Sequence, residues 1–363
     1  MDKLERAIDD IRRRWVPDAR LGVFDVVVRP GVGVTPGVGV TPGVGAQSSV
    51  GAQHAAPLPT NASLISGVTS SRPAQEALRR LATDAGLAED VHLLPDRTVG
   101  HDEAAIVTAA LAPLLGDTRL DAARVSEALH GESLEILERQ AEWLRVRASD
   151  GYVAWVHSGY VATGPAEWAR DWTERATARA LSAELQTTGG RRRLPLGARL
   201  SLHRDGTVEL ADGVAGTVVG GEVRPESELR VESRHLALPE LAQRWYGGAP
   251  YLWGGRTEWG IDCSGLAQAV YATRGIRLLR DSDQQFGQGR EVPMSPDGTG
   301  YEAGDLLFFT ERGRVSHVAL WAGAGRVVHS ALSRGGLGID DLFGAEPRMA
   351  KLRANLVGVR RCV

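Results

Sequence analysis

The sequence predicts an α+β fold, in which helices and antiparallel strands occupy separate stretches of the chain. Apolar residues recur every three or four positions in residues 3–15 and again after Cys263, a spacing typical of amphipathic helices. Between these stretches, residues 104–164 contain short apolar segments separated by turn signals such as Asp150-Gly151, which indicate strands and hairpins. The same alternation of turns and short strands extends over residues 171–232.

The length and composition of the chain indicate how many domains it has and which class of protein it belongs to. At 363 residues the chain is long enough for about two to four domains. Its 43% hydrophobic and 24% charged residues are ordinary for a soluble globular protein, and a net charge of −3 gives no reason to expect nucleic acid or a membrane surface as partner. No run of about 18 apolar residues predicts a transmembrane helix. The first ten residues are too charged for a secretory signal, so we expect a cytoplasmic protein, with export by a non-classical route left open.

Residues 1–98 read as a small α+β unit with an insert. Helical and strand patterns predict the order α-β-β-α-β, with elements at residues 3–15, 23–28, 64–69, 74–85 and 91–95. The insert at 31–57 repeats GVGVTP and then VGAQ, a composition too poor in large apolar residues to build a core. We expect it to form a loop between the two strands, without an assigned role.

Residues 104–164 and 171–232 read as two strand-rich domains. In the first, strands are expected at 105–107, 125–129, 134–139, 143–147 and 152–157. In the second, Asp205-Gly206 and Asp212-Gly213 mark turns. The last domain, residues 236–363, begins with a helix and ends in a predicted antiparallel sheet.

The last domain carries Cys263, one of two cysteines, at the point where a glycine-rich loop enters a helix. Both cysteines, Cys263 and Cys362, are expected to be free, as suits a reducing compartment. The free N–H groups and the dipole of a helix N-terminus stabilise a thiolate, so we expect the pKa of Cys263 to fall below the ordinary ~8.5. A thiolate is a strong nucleophile, which makes Cys263 a candidate for covalent catalysis. The alternative is a purely structural role, in which Cys263 is a small buried residue where the chain packs tightly.

Two histidines, His317 and His329, fall in the two strands of a predicted hairpin. A turn centred on Gly323 would place them directly opposite each other on one sheet face, with Cβ atoms about 4.5–5.5 Å apart. One imidazole could then act as general base and acid for Cys263, and the other could fix its tautomer. The N–H of Cys263 would bind the oxyanion. Two alternatives remain, namely hydrogen-bonded core histidines and a zinc site formed by the same three residues.

The segments YLWGG, DCSGL, RDSDQQ, GDLLFF, SHVALW and VVHSA together resemble the NlpC-type cysteine peptidases, which cut cell-wall peptides. The resemblance spans residues 244–345 and implies a papain-like domain with Cys263 as nucleophile, His317 as base and His329 as orienting residue. It implies no metal and no cofactor. The expected reaction is hydrolysis of the bond between γ-D-glutamate and a diamino acid.

The two upstream domains resemble bacterial SH3-like barrels, and the N-terminal unit is faintly similar to BON-like domains. This arrangement resembles the branch that trims murein peptides such as L-Ala-γ-D-Glu-diaminopimelate during recycling. In that branch acidic and tyrosine side chains of an SH3-like domain hold the free amine, which implies Glu127 and Tyr152 here. The resemblance also implies a peptide groove lined by Tyr251, Trp253, Asp262, Ser264 and Ser282.

Three functions are therefore compatible with the sequence. The first is a cysteine peptidase acting on murein peptides that carry a free N-terminal L-Ala. The second is an amidase or acyltransferase that uses the same nucleophile on another amide or thioester. The third is a wall-peptide-binding protein without catalysis, which the intact Cys263, His317 and His329 disfavour.

Overall fold

The structure is a computed structural model that describes residues 3–30 and 63–362. The repeats at 31–57, predicted to form a loop, lie outside the described residues. The chain divides into two compact units, one ending at Asp96 and the other beginning at Arg97. None of the helices in the described ranges is long and apolar enough to cross a membrane. The expected boundaries between the four domains stay predictions.

The first unit has the predicted order of helices and strands. Its elements are α1 (Lys3–Trp15), β1 (Phe24–Arg29), β2 (Leu64–Thr69), α2 (Arg72–Ala85) and β3 (Ala88–Leu93). The sheet has the order β1-β2-β3, with β1 antiparallel and β3 parallel to the central strand. Ile8, Ile65, Leu78 and Val91 form its buried core.

The second unit starts with what we call the first β-domain, residues 104–164. Its strands are β4 (Ala104–Val107), β5 (Leu111–Leu115), β6 (Arg124–Leu129), β7 (Ser133–Gln140), β8 (Trp143–Arg147), β9 (Val153–His157) and β10 (Val161–Gly164). They form an antiparallel sheet in the order β10-β4-β7-β8-β9-β5-β6. The sequence did not indicate β5 or β10, the first of which contains a proline at Pro113.

The second β-domain, residues 178–225, follows a helix that the strand-rich prediction did not include. The elements are α3 (Ala166–Arg175), β11 (Ala178–Thr187), β12 (Gly190–Leu194), β13 (Arg199–Leu202), β14 (Val208–Glu209), β15 (Ala215–Pro225) and α4 (Glu226–His235). Strand β11 pairs with β12, β13 and β15, which closes the sheet on itself. Helix α3 is amphipathic, and its buried Ala169 and Trp172 pack against Ala104 and Ile106 of the first β-domain.

The last domain packs helices against one antiparallel sheet, as expected for an α+β fold. Its elements are α5 (Leu238–Tyr246), β16 (Arg256–Thr257), β17 (Gly260–Ile261), α6 (Cys263–Ala272), α7 (Ser282–Phe286), β18 (Arg290–Val292), β19 (Leu306–Glu311), β20 (Arg314–Gly323), β21 (Arg326–Ala331), β22 (Gly336–Asp341), α8 (Pro347–Ala354) and β23 (Leu356–Arg361). The sheet order is β18-β23-β19-β20-β21-β22. Helix α6 is buried on nearly all sides, with Leu266 and Val270 in the same core as Val318 and Leu320 of β20. This packing sets the start of α6 against the sheet.

Candidate active site

Cys263 is the first residue of α6, and Asp262 fixes the turn before it. Asp262 accepts the N–H of Gly265 through Oδ1 at 2.7 Å and the N–H of Gly254 through Oδ2 at 2.8 Å. A side chain at position 265 would collide with the backbone, since a Cβ there would lie 2.2 Å from the carbonyl oxygen of Gly255. The thiol is therefore held where the first N–H groups of a helix can still act as donors.

Burial raises the pKa of the Cys263 thiol to about 12, and the charge of the Asp262 carboxylate adds to the rise. The backbone of Val318 and Ser264 and the Arg280 guanidinium act in the opposite direction without outweighing it. The expected lowering of this pKa is therefore wrong for the free protein, because the sequence does not reveal how deeply the thiol is buried. The thiol is protonated at rest and requires a base to become a nucleophile.

The two histidines share one face of the sheet, although the expected register is wrong. Leu320 of β20 lies opposite Val328 of β21, so His317 and His329 are displaced by two positions instead of facing each other. The hairpin turns through the two residues after Gly323, both of which have positive φ, and the strand pairing is irregular just before that turn. Because side chains alternate along a strand, a displacement of two positions leaves both histidines on the same face.

The imidazole rings contact each other, and the thiol is hydrogen-bonded to the backbone of the residue that follows His317. Nε2 of His317 is 2.7 Å from Nδ1 of His329. His329 is buried and His317 is half-buried; burial lowers the pKa of His317 to about 3, and His329 adds to the shift. The backbone of Val318, the residue after His317, forms a hydrogen bond with the Cys263 thiol. The structure thus brings together a protonated thiol and a neutral imidazole.

A buried carboxylate that the sequence analysis missed lies behind this pair. Asp340 of β22 is 3.0 Å from Nε2 of His329 through its Oδ2. Its Oδ1 pairs with Arg348 at 2.8 Å and also with Arg334. Burial alone would raise the pKa of Asp340, but the hydrogen bond from His329 and the two guanidinium groups hold it below its ordinary value. A strand after the two histidine strands was the available signal, but its register could not be derived from local patterns.

Arg280 was also missed, although it lies inside the quoted RDSDQQ segment. Its side chain is fully buried and pairs with Asp262 at 2.8 and 3.1 Å. It also donates to the hydroxyl of Ser264 at 2.9 Å and to that of Ser126 in the first β-domain at 3.0 Å. Arg280 therefore connects the first β-domain to the residues on either side of Cys263.

Glu127 and Tyr152 lie where the first β-domain meets the last domain. Glu127 is buried and accepts the backbone N–H of Arg256 at 3.0 Å, while its other oxygen pairs with Arg124. Burial raises the pKa of the Glu127 carboxyl, and the neighbouring donors offset the rise only in part. The Tyr152 hydroxyl donates to Oδ2 of Asp281 at 3.1 Å. Both predicted amine-binding residues therefore contact the last domain directly.

The remaining predicted groove residues fall into two sets. Asp262 and Ser264 are buried around Arg280, and the Ser264 hydroxyl donates to Asp262 at 3.2 Å. Tyr251 is half-buried, and the pKa of its hydroxyl is raised by burial and by the nearby Cys263. Ser282 is buried at the start of α7, whereas 64% of Trp253 is exposed. Trp253 is thus the one of the five whose side chain is mainly in solvent.

The zinc alternative gains no support from the geometry. Within residues 3–30 and 63–362, no three His, Cys, Asp or Glu side chains are arranged to hold a metal ion. Both cysteines are free thiols.

Residues 248–354 match the model of the NlpC/P60 family, and residues 116–159 match that of the bacterial dipeptidyl-peptidase Sh3 domain. The chain carries an NlpC/P60 domain. Cys263, both histidines and Asp340 all lie within the matched part of that NlpC/P60 domain. The SH3 match contains Glu127 and Tyr152.

The NlpC/P60 domain has named relatives. The chain is 33% identical over 145 residues to the gamma-D-glutamyl-L-lysine dipeptidyl-peptidase of Bacillus subtilis, covering 39% of this chain and 46% of that protein. It is 28% identical over 262 residues to dipeptidyl-peptidase 6 of Lysinibacillus sphaericus, covering 67% of this chain and 93% of that protein. The chain thus spans less than half the length of the first of these relatives.

The fold also has a solved counterpart. The crystal structure of an NlpC/P60 family protein from Bacillus cereus superposes with a TM-score of 0.55 at 18% identity, over 71% of this chain and 99% of that one. At this identity the likeness concerns the fold alone. It extends beyond the NlpC/P60 domain into the preceding domains, since that domain's match spans residues 248–354 only.

Proposed function

We propose that the protein is a cysteine peptidase that hydrolyses the γ-D-glutamyl–L-diamino acid bond of murein peptides with a free N-terminal L-Ala. The observation that carries the proposal is Cys263 at the start of α6, hydrogen-bonded to the backbone of Val318, which follows His317 of the contacting histidine pair. The names of the Bacillus subtilis and Lysinibacillus sphaericus relatives support the bond and the dipeptide-releasing mode. We also propose, from the substrate's chemistry, a role in recycling such peptides.

The proposed reaction begins from the neutral pair. His317 takes the proton of the Cys263 thiol as the sulfur attacks the γ-carbonyl carbon of D-glutamate. The oxyanion accepts the backbone N–H of Cys263 at the helix N-terminus. As the C–N bond breaks, the His317 imidazolium gives its proton to the leaving amine of the diamino acid. Water then attacks the thioester, His317 accepts the water's proton, and L-Ala-D-Glu leaves as the thiol is restored.

The first β-domain would bind the amino end of the peptide. Arg280 donates to the hydroxyl of Ser126 at 3.0 Å, so the chain segments that carry Glu127 and Asp281 meet at this contact. The Tyr152 hydroxyl already reaches Asp281. Two carboxylates and a phenol suit a substrate ammonium group, which they would hold by charge-assisted hydrogen bonds.

The proposal is tested by the products formed from defined peptides. L-Ala-γ-D-Glu-diaminopimelate, its L-lysine counterpart and the N-acetylated form of each are incubated with the protein, and products are separated by chromatography. We expect L-Ala-D-Glu and the free diamino acid from the free-amine peptides, and cleavage reduced by about 10²-fold or more after acetylation, since the charge-assisted hydrogen bonds to the ammonium group are then lost. Equal cleavage of acetylated peptide would refute the amine site.

Two variants separate the proposal from the other functions. Cys263→Ser should lose activity by at least about 10³-fold, whereas Cys362→Ser serves as the matched control and should retain it. Peptide binding without any turnover by the wild type would favour a binding protein. Cleavage of simple amides or thioesters in preference to the murein peptides would favour an amidase or acyltransferase.

A further inference from the structure

Asp340, His329 and His317 form a series of hydrogen bonds in which the donor and acceptor of each bond can be assigned. Asp340 is buried, and its Oδ1 faces the guanidinium groups of Arg334 and Arg348. The hydrogen bond with His329 and these two guanidinium groups hold its pKa below the ordinary value against the effect of burial, so this carboxylate is ionised and can only accept hydrogen bonds. The nitrogen facing Oδ2, Nε2 of His329, must therefore carry a proton.

The tautomer of His329 in turn determines the tautomer of His317. A neutral imidazole carries one N–H, so Nδ1 of His329 is an acceptor when its Nε2 is the donor. Nε2 of His317 lies 2.7 Å from that acceptor and must supply the proton of the bond. The other nitrogen of His317, Nδ1, then has a free lone pair. Nδ1 is therefore the ring nitrogen of His317 that can accept a proton.

We propose that Asp340 is a positioning residue which, through His329, sets the tautomer of His317 so that Nδ1 is the proton acceptor for Cys263. The inference rests on the proposed function, because it assigns a role in the same reaction. Arg334 and Arg348 fix which oxygen of Asp340 faces His329.

The groups around the series belong to several elements. Asp340 stands on β22, Arg334 precedes that strand, and Arg348 comes from α8. The thiol of Cys263 enters from α6 and the Tyr251 hydroxyl lies close to it. Among these groups, Asp340 is the one that contacts His329 on the side away from His317.

The test compares two substitutions of Asp340. In Asp340→Asn the amide oxygen stays toward Arg334 and Arg348, which can only donate, so the amide N–H₂ faces His329. That donor reverses both tautomers and puts the proton of His317 on Nδ1. We expect kcat to fall about 10³-fold or more with KM little changed, as a wrong tautomer costs about 10⁴ in a Ser-His-Asp triad.

In Asp340→Ala no donor replaces the carboxylate, and His329 can still adopt the productive tautomer with water. We therefore expect a smaller loss of kcat, about 10-fold. A purely structural role predicts the opposite order, because Asn keeps the size and most contacts of Asp. Asp341→Asn is the matched control, since Asp341 is exposed on the same strand and its Oδ1 accepts the N–H of Phe343; it should leave kcat unchanged.

A second measurement needs no substrate, so it tests the tautomers of the histidines even if the proposed function is refuted. In protein with ¹⁵N-labelled imidazoles, NMR reports which ring nitrogen is protonated, and His317→Gln and His329→Gln assign the signals. We expect the proton of His317 on Nε2 in the wild type and on Nδ1 in Asp340→Asn. A wild-type proton on Nδ1, or an Asn variant no slower than the Ala variant, would overturn the inference. Absence of peptide cleavage with the expected tautomers would instead refute the substrate assignment.

Discussion

The two β-domains meet the NlpC/P60 domain in different ways. The first contacts it near Cys263, the proposed nucleophile, where Arg280 donates to the hydroxyl of Ser126 and the hydroxyl of Tyr152 donates to Asp281. The second contacts the turn between β16 and β17, where Glu258 accepts the Ser182 hydroxyl at 2.6 Å and the N–H of Leu196 at 2.9 Å.

Both β-domains contact the same short hairpin of the last domain, formed by β16 and β17. Arg256 of β16 forms a two-pronged pair with Glu132 of the first β-domain at 2.9 and 3.1 Å, and Glu258 follows two residues later. The hairpin then leads through β17 directly into Cys263. From this difference we infer that the first β-domain forms part of the proposed active site, whereas the second contacts the last domain at the turn that contains Glu258. Four substitutions test this difference.

The largest effect is expected at Arg280, in the contact between the first β-domain and the nucleophile. Arg280→Met leaves the buried Asp262 carboxylate without its oppositely charged partner, which should lower the free energy of unfolding by about 3–5 kcal/mol. Urea unfolding followed by tryptophan fluorescence measures the loss. Arg277→Met, at an exposed position three residues earlier, is the control and should change it by less than about 0.5 kcal/mol. Equal unfolding midpoints for both variants would contradict this account.

The next effect concerns Arg256 and has a defined pH dependence. Burial would raise the pKa of Glu132, but the Arg256 guanidinium, together with the N–H of Leu129 and the charge of Arg199, holds that pKa below its ordinary value. A carboxyl of lowered pKa stabilises the fold above its unfolded pKa of about 4.3 and loses this contribution as the pH falls through the folded value. Because the pair is partly exposed, Arg256→Met should cost about 2–3 kcal/mol at pH 7.

The difference in unfolding free energy between wild type and Arg256→Met should therefore shrink as the pH falls below about 4. Urea titrations of both proteins at pH 7 and near pH 3.5 measure it. A difference that stays constant over this range would mean that the pair with Glu132 does not account for the loss. We also expect reduced kcat at pH 7, since Arg256 holds the strand that precedes the nucleophile.

At the second β-domain, Glu258→Gln should affect stability but not catalysis. The amide weakens two hydrogen bonds to a charged acceptor, which should cost about 1–2 kcal/mol in unfolding free energy. Steady-state cleavage of L-Ala-γ-D-Glu-diaminopimelate should show kcat and KM within about two-fold of wild type. A fall in kcat of about 10-fold or more would show that the second β-domain also affects catalysis, and would contradict the proposed difference between the two β-domains.

The smallest effect is expected from Tyr152→Phe in the first β-domain. Removing the hydroxyl takes one hydrogen bond from the proposed amine site, so KM for the free-amine peptide should rise about five- to ten-fold with kcat unchanged. The N-acetylated peptide provides the control, because its slow cleavage should not respond to the substitution. An equal rise in KM for both peptides would place the effect outside amine binding.

Local patterns were sufficient to predict much of this molecule. The loop into Cys263 and the strands of His317 and His329 have their own sequence signals, and the structure has these elements where they were expected. The helix α3 was missed because its ten residues overlap the start of the strand-rich stretch predicted at 171–232 and give a short periodic signal, and because its burial depends on the first β-domain.

The features that were predicted wrongly or not at all depend on contacts between distant parts of the chain. Asp340 and Arg280 act through partners that no local pattern pairs with them, namely His329 and Asp262. The hairpin register was wrong because a two-residue turn and an irregular pair moved the strands by two positions. The direction of the Cys263 pKa shift was wrong because burial, a property of the packed domain, outweighs the helix N-terminus.

Trapping the acyl-enzyme tests the central claim most directly. Wild-type protein is mixed with L-Ala-γ-D-Glu-diaminopimelate, quenched in acid within the first turnover, digested and analysed by mass spectrometry. We predict an L-Ala-D-Glu thioester on the peptide that contains Cys263, and none on the peptide that contains Cys362. Release of diaminopimelate by Cys263→Ser at the wild-type rate, or an adduct carried by Cys362 instead, would contradict the account.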